Sequence, residues 1–99
     1  NLIDHKKYNS KNVINSYYLR IMTEDKPGVL SSITNNFTES DISVEKILQL
    51  PDNIMEKKPI PIIITTHKIQ KNVLNKVINK IEKHNFVKEK ITVLAIHDN

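Results

Sequence analysis

Cysteine and tryptophan are absent from these 99 residues, and glycine and arginine each occur once. Each scarcity excludes something. Without cysteine there is no disulfide, no thiolate nucleophile and no zinc–thiolate site. With Gly28 as the lone glycine, the chain cannot spell the G-x-G-x-x-G cradle of a dinucleotide site. With Arg20 as the lone arginine, it lacks the planar forks that grip guanine edges and phosphates. No secretory signal pattern opens the sequence, and no apolar run approaches the roughly 18 residues of a membrane span. The strongest run, Ile60 to Ile64, is interrupted by Pro61. One small domain with a modest core is expected, soluble and cytoplasmic, with no membrane partner. The chain starts at Asn1 instead of Met, so a piece of a longer protein is expected.

What is present is lysine. The formal charge of +4 comes almost wholly from it. Lys6, Lys7, Lys57, Lys58, Lys71, Lys76, Lys80 and Lys83 are scattered along the chain and form no compact basic block. That pattern describes a solvated surface, and no nucleic acid is expected as partner.

Periodicity divides the rest. Residues 1 to 15 are polar and aperiodic and read as a linker. Over 16 to 23, Tyr17, Leu19 and Ile21 alternate with Tyr18, Arg20 and Met22, which predicts a strand. After Gly28 the period changes: Val29, Leu30, Ile33 and Phe37 recur at helical spacing, and the helix should end near Ser40. Pro27 suits its first turn, where a missing N–H costs nothing. A second strand is expected over 41 to 50, with Ile42, Val44 and Leu48 on one face. Lys46 falls on that face too, which predicts a bulge or an edge position. Residues 51 to 58 form a polar connection, and 60 to 69 a β-branched central strand. Val73, Leu74, Val77, Ile78 and Ile81 stripe a helix over 70 to 84, and a last strand follows over 90 to 98. The order β-α-β-β-α-β, with right-handed crossovers, gives an α+β ferredoxin-like sandwich: a four-stranded antiparallel sheet with two helices on one face. The other face stays uncovered, and this layout serves many functions.

The lone glycine sits where the first strand hands over to the first helix. Two readings stand side by side. In one, Gly28 allows close packing at the start of a capped helix, with Asp25 as the cap. In the other, the unpaired N–H groups of the first turn receive a carboxylate while Asp25 holds an ammonium group, so the loop binds both charged ends of an amino acid. The helical register implies a negative φ at Gly28.

The stretch TEDKPGVLSSITNNFTESDISVEKILQ resembles the ACT domain, the small amino-acid-sensing module of metabolic enzymes. Asp25, Lys26, Pro27, Gly28, Val29 and Leu30 match its hallmark, and Ile42 stands where its second strand begins. YYLRIMTEDKPGVLSSI, ISVEKILQ and PIIITTHK resemble, more narrowly, the C-terminal ACT domain of homoserine dehydrogenases. The resemblance implies an ACT domain over 16 to 98 and, in residues 1 to 15, an extension from an N-terminal catalytic portion. It implies a regulatory domain that is not itself an enzyme, attached to an oxidoreductase that reduces aspartate semialdehyde to homoserine. The NAD(P) cofactor belongs to that other portion; none is expected in this one. It implies a homodimer through the sheet edge or face, and an effector, threonine expected, held by Asp25, the backbone from Lys26 to Leu30, and Ile42, Ser43 and Val44 of a second copy. Lys46 departs from the small residue more usual in the family.

Two alternatives remain: a ligand-free structural dimerisation module, and the ACT domain of a (p)ppGpp synthetase-like signalling protein. Other signals carry less. His5, His67, His84 and His97 have no metal-ligand spacing and are expected on the surface or at strand edges. Glu24, Asp25 and Glu56 form no acid–base pair. Tyr17 and Tyr18 lack the basic-aromatic central strand that RNA stacking requires.

Overall fold

Alternation in the first strand becomes a two-faced sheet in the computed structural model, which describes residues 13–49 and 59–97. Most of the expected linker and the polar connection over 51–58 lie outside the described residues. Strand β1 spans Ile14–Thr23. It starts two residues earlier than expected, because Ile14 and Asn15 pair with Gln70 and Ile69. Those two residues therefore belong to the domain and not to a linker. Tyr17, Leu19, Ile21 and Thr23 are all buried.

β3, Ile60–Thr66, supplies the matching row. Leu19 opposes Ile64, Ile21 opposes Ile62 and Thr23 opposes Ile60. Burying each such aliphatic side chain stabilises by about 1.5–3 kcal/mol, which makes this the organising pair of the sheet. The expected single strand over 60–69 is broken. Its end is a separate two-residue strand, β4, at Ile69–Gln70. Tyr18 pairs with Thr65, but Asn15 pairs with Ile69. Three steps along β1 thus answer four along its partner, so one extra residue bulges out. At the bulge the Tyr17 N–H donates to Thr66 Oγ1 (3.1 Å), and the His67 N–H turns away to Ser43 O (3.0 Å).

β2, Val44–Gln49, is the edge strand beyond β3, and its register shifts between Val44 and Lys46. Both the bulge and the edge position expected at Lys46 are found. β5, Thr92–Ile96, lies on the other side of β1 and completes the antiparallel order β2–β3–β1–β5.

Helices α1, Val29–Glu39, and α2, Lys71–Glu82, turn their apolar stripes to the buried sheet face. Ile33, Phe37, Leu74, Val77 and Ile81 meet Leu19, Ile21, Ile62 and Ile64 in one core. The opposite sheet face keeps Leu48, Leu94 and Ile96 exposed. This is the ferredoxin-like sandwich.

The end of α1 corrects one expectation. Ile42 does not begin the second strand; it closes the helix. Its N–H donates to Phe37 O (2.9 Å), and the Asp41 N–H donates to Thr38 O (3.0 Å). Those are the two bonds of a Schellman cap, with Asp41 in the left-handed region at φ 58°. The Ile42 side chain is buried in the same core as Phe37, which is the apolar contact that accompanies such a cap.

Candidate ligand-binding site

The β1–α1 loop is built around a turn. The Val29 N–H donates to Lys26 O at 3.3 Å, closing Lys26-Pro27-Gly28-Val29. Gly28 has φ 87° and ψ −11°. A type II turn wants about +80° and 0° at its third residue, favours proline just before it, and takes glycine there for lack of a Cβ. The lone glycine is therefore a conformational requirement. The negative φ expected from the helical register is wrong, because the turn sets the angle before the helix begins. Pro27 likewise lies before the helix and not in its first turn.

Close packing is not the reason for the glycine. A Cβ added at Gly28 would meet no atom within 4 Å. The side facing the loop is open, and Asp25, Lys26, Pro27 and Gly28 are all exposed.

Gly28 is also the N-cap of α1, and no side chain caps the helix. A serine, threonine, asparagine or aspartate at this place would accept the N–H of the second or third helical residue. Glycine cannot, and the first turn contains no acidic residue. The first helical bond runs from the Ser32 N–H to Gly28 O (2.9 Å). The N–H groups of Leu30 and Ser31 consequently have no acceptor among the described residues, and the positive end of the helix dipole lies behind them. Val29 is buried and anchors the turn to the core, with Leu30 half-buried against it. Asp25 does not cap the helix, and its carboxylate has no partner among the described residues.

Glu24, not singled out as a ligand residue in the sequence, is the most engaged side chain of the loop. Its carboxylate meets Lys26 Nζ and Lys88 Nζ, each at 2.8 Å. Hydrogen bonds from these two ammonium groups, Lys26 first, hold its pKa down to about 2. A bond to a residue so distant in sequence leaves no local pattern to find.

Ile42, Ser43 and Val44 lie at the far end of α1 from this loop. Eleven helical residues separate the two ends, about 16 Å at 1.5 Å per residue. Within one chain these residues are also committed: the Ile42 side chain is in the core, Ser43 O accepts the His67 N–H, and Val44 packs on the core. One chain thus does not bring the two halves of the expected site together. Among the histidines, His84 is a packing residue, stacked on Phe86 with ring centroids 4.7 Å apart and with Nε2 3.2 Å from Asn36 Nδ2 of α1.

The ACT domain family matches the chain over residues 17–86. Homoserine dehydrogenase of Neisseria gonorrhoeae is 28% identical over 89 residues, covering 87% of this chain and 20% of its own length. That of Pseudomonas aeruginosa is 33% identical over 67 residues, covering 68% and 15%. The chain therefore spans about a fifth or less of these relatives. Among solved structures, a homoserine dehydrogenase from Thiobacillus denitrificans superposes with a TM-score of 0.78 at 31% identity, over 90% of this chain and 19% of that one. The ACT domain of a GTP pyrophosphokinase from Chlorobium tepidum superposes with a TM-score of 0.66 at 18% identity, over 83% of this chain and all of that one. At that identity the second likeness speaks for the fold alone.

Proposed function

The chain belongs to the ACT domain family, and from that premise we propose that it is the amino-acid-sensing regulatory domain of a homoserine dehydrogenase, with threonine as effector. The observation that carries the proposal is the bare start of α1. A glycine N-cap in a type II turn leaves the Leu30 and Ser31 N–H groups without an acceptor among the described residues. An α-carboxylate is an acceptor well suited to such N–H donors. Asp25, exposed and without a partner among the described residues, takes the ammonium group.

Ile42 to Val44 of a second copy complete the site through exposed Ser43 and the adjoining backbone, since the Ile42 side chain stays in that copy's core. That requires a dimer, and the uncovered sheet face with Leu48, Leu94 and Ile96 exposed supports one. Reduction of aspartate semialdehyde is assigned to the rest of the protein, in the cytoplasm. NAD(P) is assigned there as well, since a single glycine in a type II turn does not form a dinucleotide cradle. The identity to homoserine dehydrogenases, 31% in the structural comparison against 18% for the GTP pyrophosphokinase domain, favours this parent over the signalling protein.

The test is a melt of the protein against each of the twenty amino acids, with sedimentation alongside. A ligand at one hundred times its dissociation constant raises stability by about 2.7 kcal/mol. Threonine is expected to raise the melting temperature of the wild type and to leave Asp25→Ala unshifted. A dimer that responds to none of the twenty would make the domain a structural module; a monomer at high micromolar concentration would remove the shared site.

A further inference from the structure

Besides Val29 in the core, the β1–α1 loop is fastened, among the described residues, to the α2–β5 connection. Residues 86 to 88 run alongside the end of β1: the Glu24 N–H donates to Phe86 O (2.9 Å), the Lys88 N–H donates to Met22 O (2.9 Å), and Thr23 bridges Val87. Glu24 then extends this contact with its side chain. Oε1 holds Lys88 of the α2–β5 connection, and Oε2 holds Lys26 of the turn, both at 2.8 Å.

The α2–β5 connection is in turn fixed to α1. Phe86 stacks on His84, and the His84 ring faces Asn36 Nδ2, which also donates to Ser32 O (2.8 Å). A closed circuit results: turn, Glu24, Lys88, Phe86, His84, α1, and back to the turn. Among the described residues, the one backbone bond inside the turn is the long one from Val29 to Lys26. No side chain caps the helix that follows.

We infer that Glu24 is a positioning residue: by gripping Lys26 and Lys88 together it holds the turn in the shape that presents the Leu30 and Ser31 N–H groups to the effector. The inference rests on the function proposed above. Glu24 does not itself contact the ligand. An exposed ion pair contributes little to global stability, but a loop that visits its binding shape less often binds more weakly in direct proportion.

The test compares the full chain with Glu24→Gln, Lys88→Met and the double variant. Two quantities are read: L-threonine affinity by calorimetry, and exchange of the Val29 and Ser32 amides without ligand. Each single variant is expected to weaken threonine binding roughly three- to tenfold with nearly unchanged melting temperature. The double variant should be no weaker than the weaker single one, because both remove the same clamp. Exchange at Val29 should speed up by a similar factor in both single variants. Unchanged exchange at Val29 in Glu24→Gln, or affinity losses that multiply in the double variant, would overturn the inference. If the wild type bound no threonine, the proposed effector would fail, while the exchange rates would still decide the clamp.

Discussion

Gly28 and Asp41 stand at opposite ends of α1 and share a left-handed backbone, with φ 87° and 58°. Both positions favour glycine, and the chain has one. It is placed at the N-terminal end, where the type II turn needs it and where a side chain would also point into the open side of the loop. The C-terminal end makes do with aspartate, which tolerates this region better than most residues.

Gly28→Ala is expected to destabilise the fold by about 1–2 kcal/mol through backbone strain alone, since its Cβ touches nothing. Gly28→Asn should cost less, because asparagine visits the left-handed region. Thermal melts of the two variants test this; equal stability of alanine variant and wild type would show that the turn relaxes without cost.

Asp41→Gly should act in the opposite direction. It removes strain at a position already satisfied by backbone bonds, for a gain of about 0.5–1 kcal/mol. For a domain of this size that is a rise of roughly 2–8 °C in Tm. A fall would mean that the Asp41 carboxylate contributes more than the strain costs.

Thr23 is fully buried at the end of β1, and its hydroxyl has no hydrogen-bond partner among the described residues. Thr23→Val keeps the shape and removes the unpaired group. A stabilisation of about 1 kcal/mol is expected, the lower end of the cost of a buried unsatisfied polar group. Chemical denaturation measures it, and a loss of stability would indicate that the hydroxyl finds a partner in solution.

Glu24 gives a pH signature. Its carboxyl titrates at about 2 in the folded protein against an ordinary 4.5, chiefly through Lys26 and then Lys88. A carboxyl with a depressed folded pKa stabilises fully above its unfolded value and loses that contribution as pH falls through the folded one. The stability difference between wild type and Glu24→Gln, small because the pair is exposed, should therefore be constant above about pH 5 and fade between about 4.5 and 2. High salt should shrink it at every pH. A difference that stays undiminished from pH 5 down to pH 2 would assign the effect to packing instead of charge.

The elements and the faces they bury were legible in the residues themselves. Alternation in Tyr17, Leu19 and Ile21 and the stripe from Leu74 to Ile81 are local patterns, and burial follows them. The DKPGVL loop was legible as a place for the same reason: proline, then glycine, then a helical period. Its geometry was not. The sign of φ at Gly28 depends on which turn closes, and that depends on Lys26 O meeting the Val29 N–H. The break between β3 and β4 arises because β1 offers one residue fewer than its partner, a count that exists only once the strands are paired. Ile42 looks like the first residue of a strand and acts as the last residue of a helix cap, since Phe37 lies within reach only after α1 has wound. The Glu24–Lys88 contact joins residues that nothing in the linear pattern links. Period and propensity act between near neighbours along the chain, so the sequence alone determined the main helices and strands, the core and the location of the loop. Turn type, register and ion pairing depend on groups distant in sequence meeting in space, so only the tertiary structure decided them.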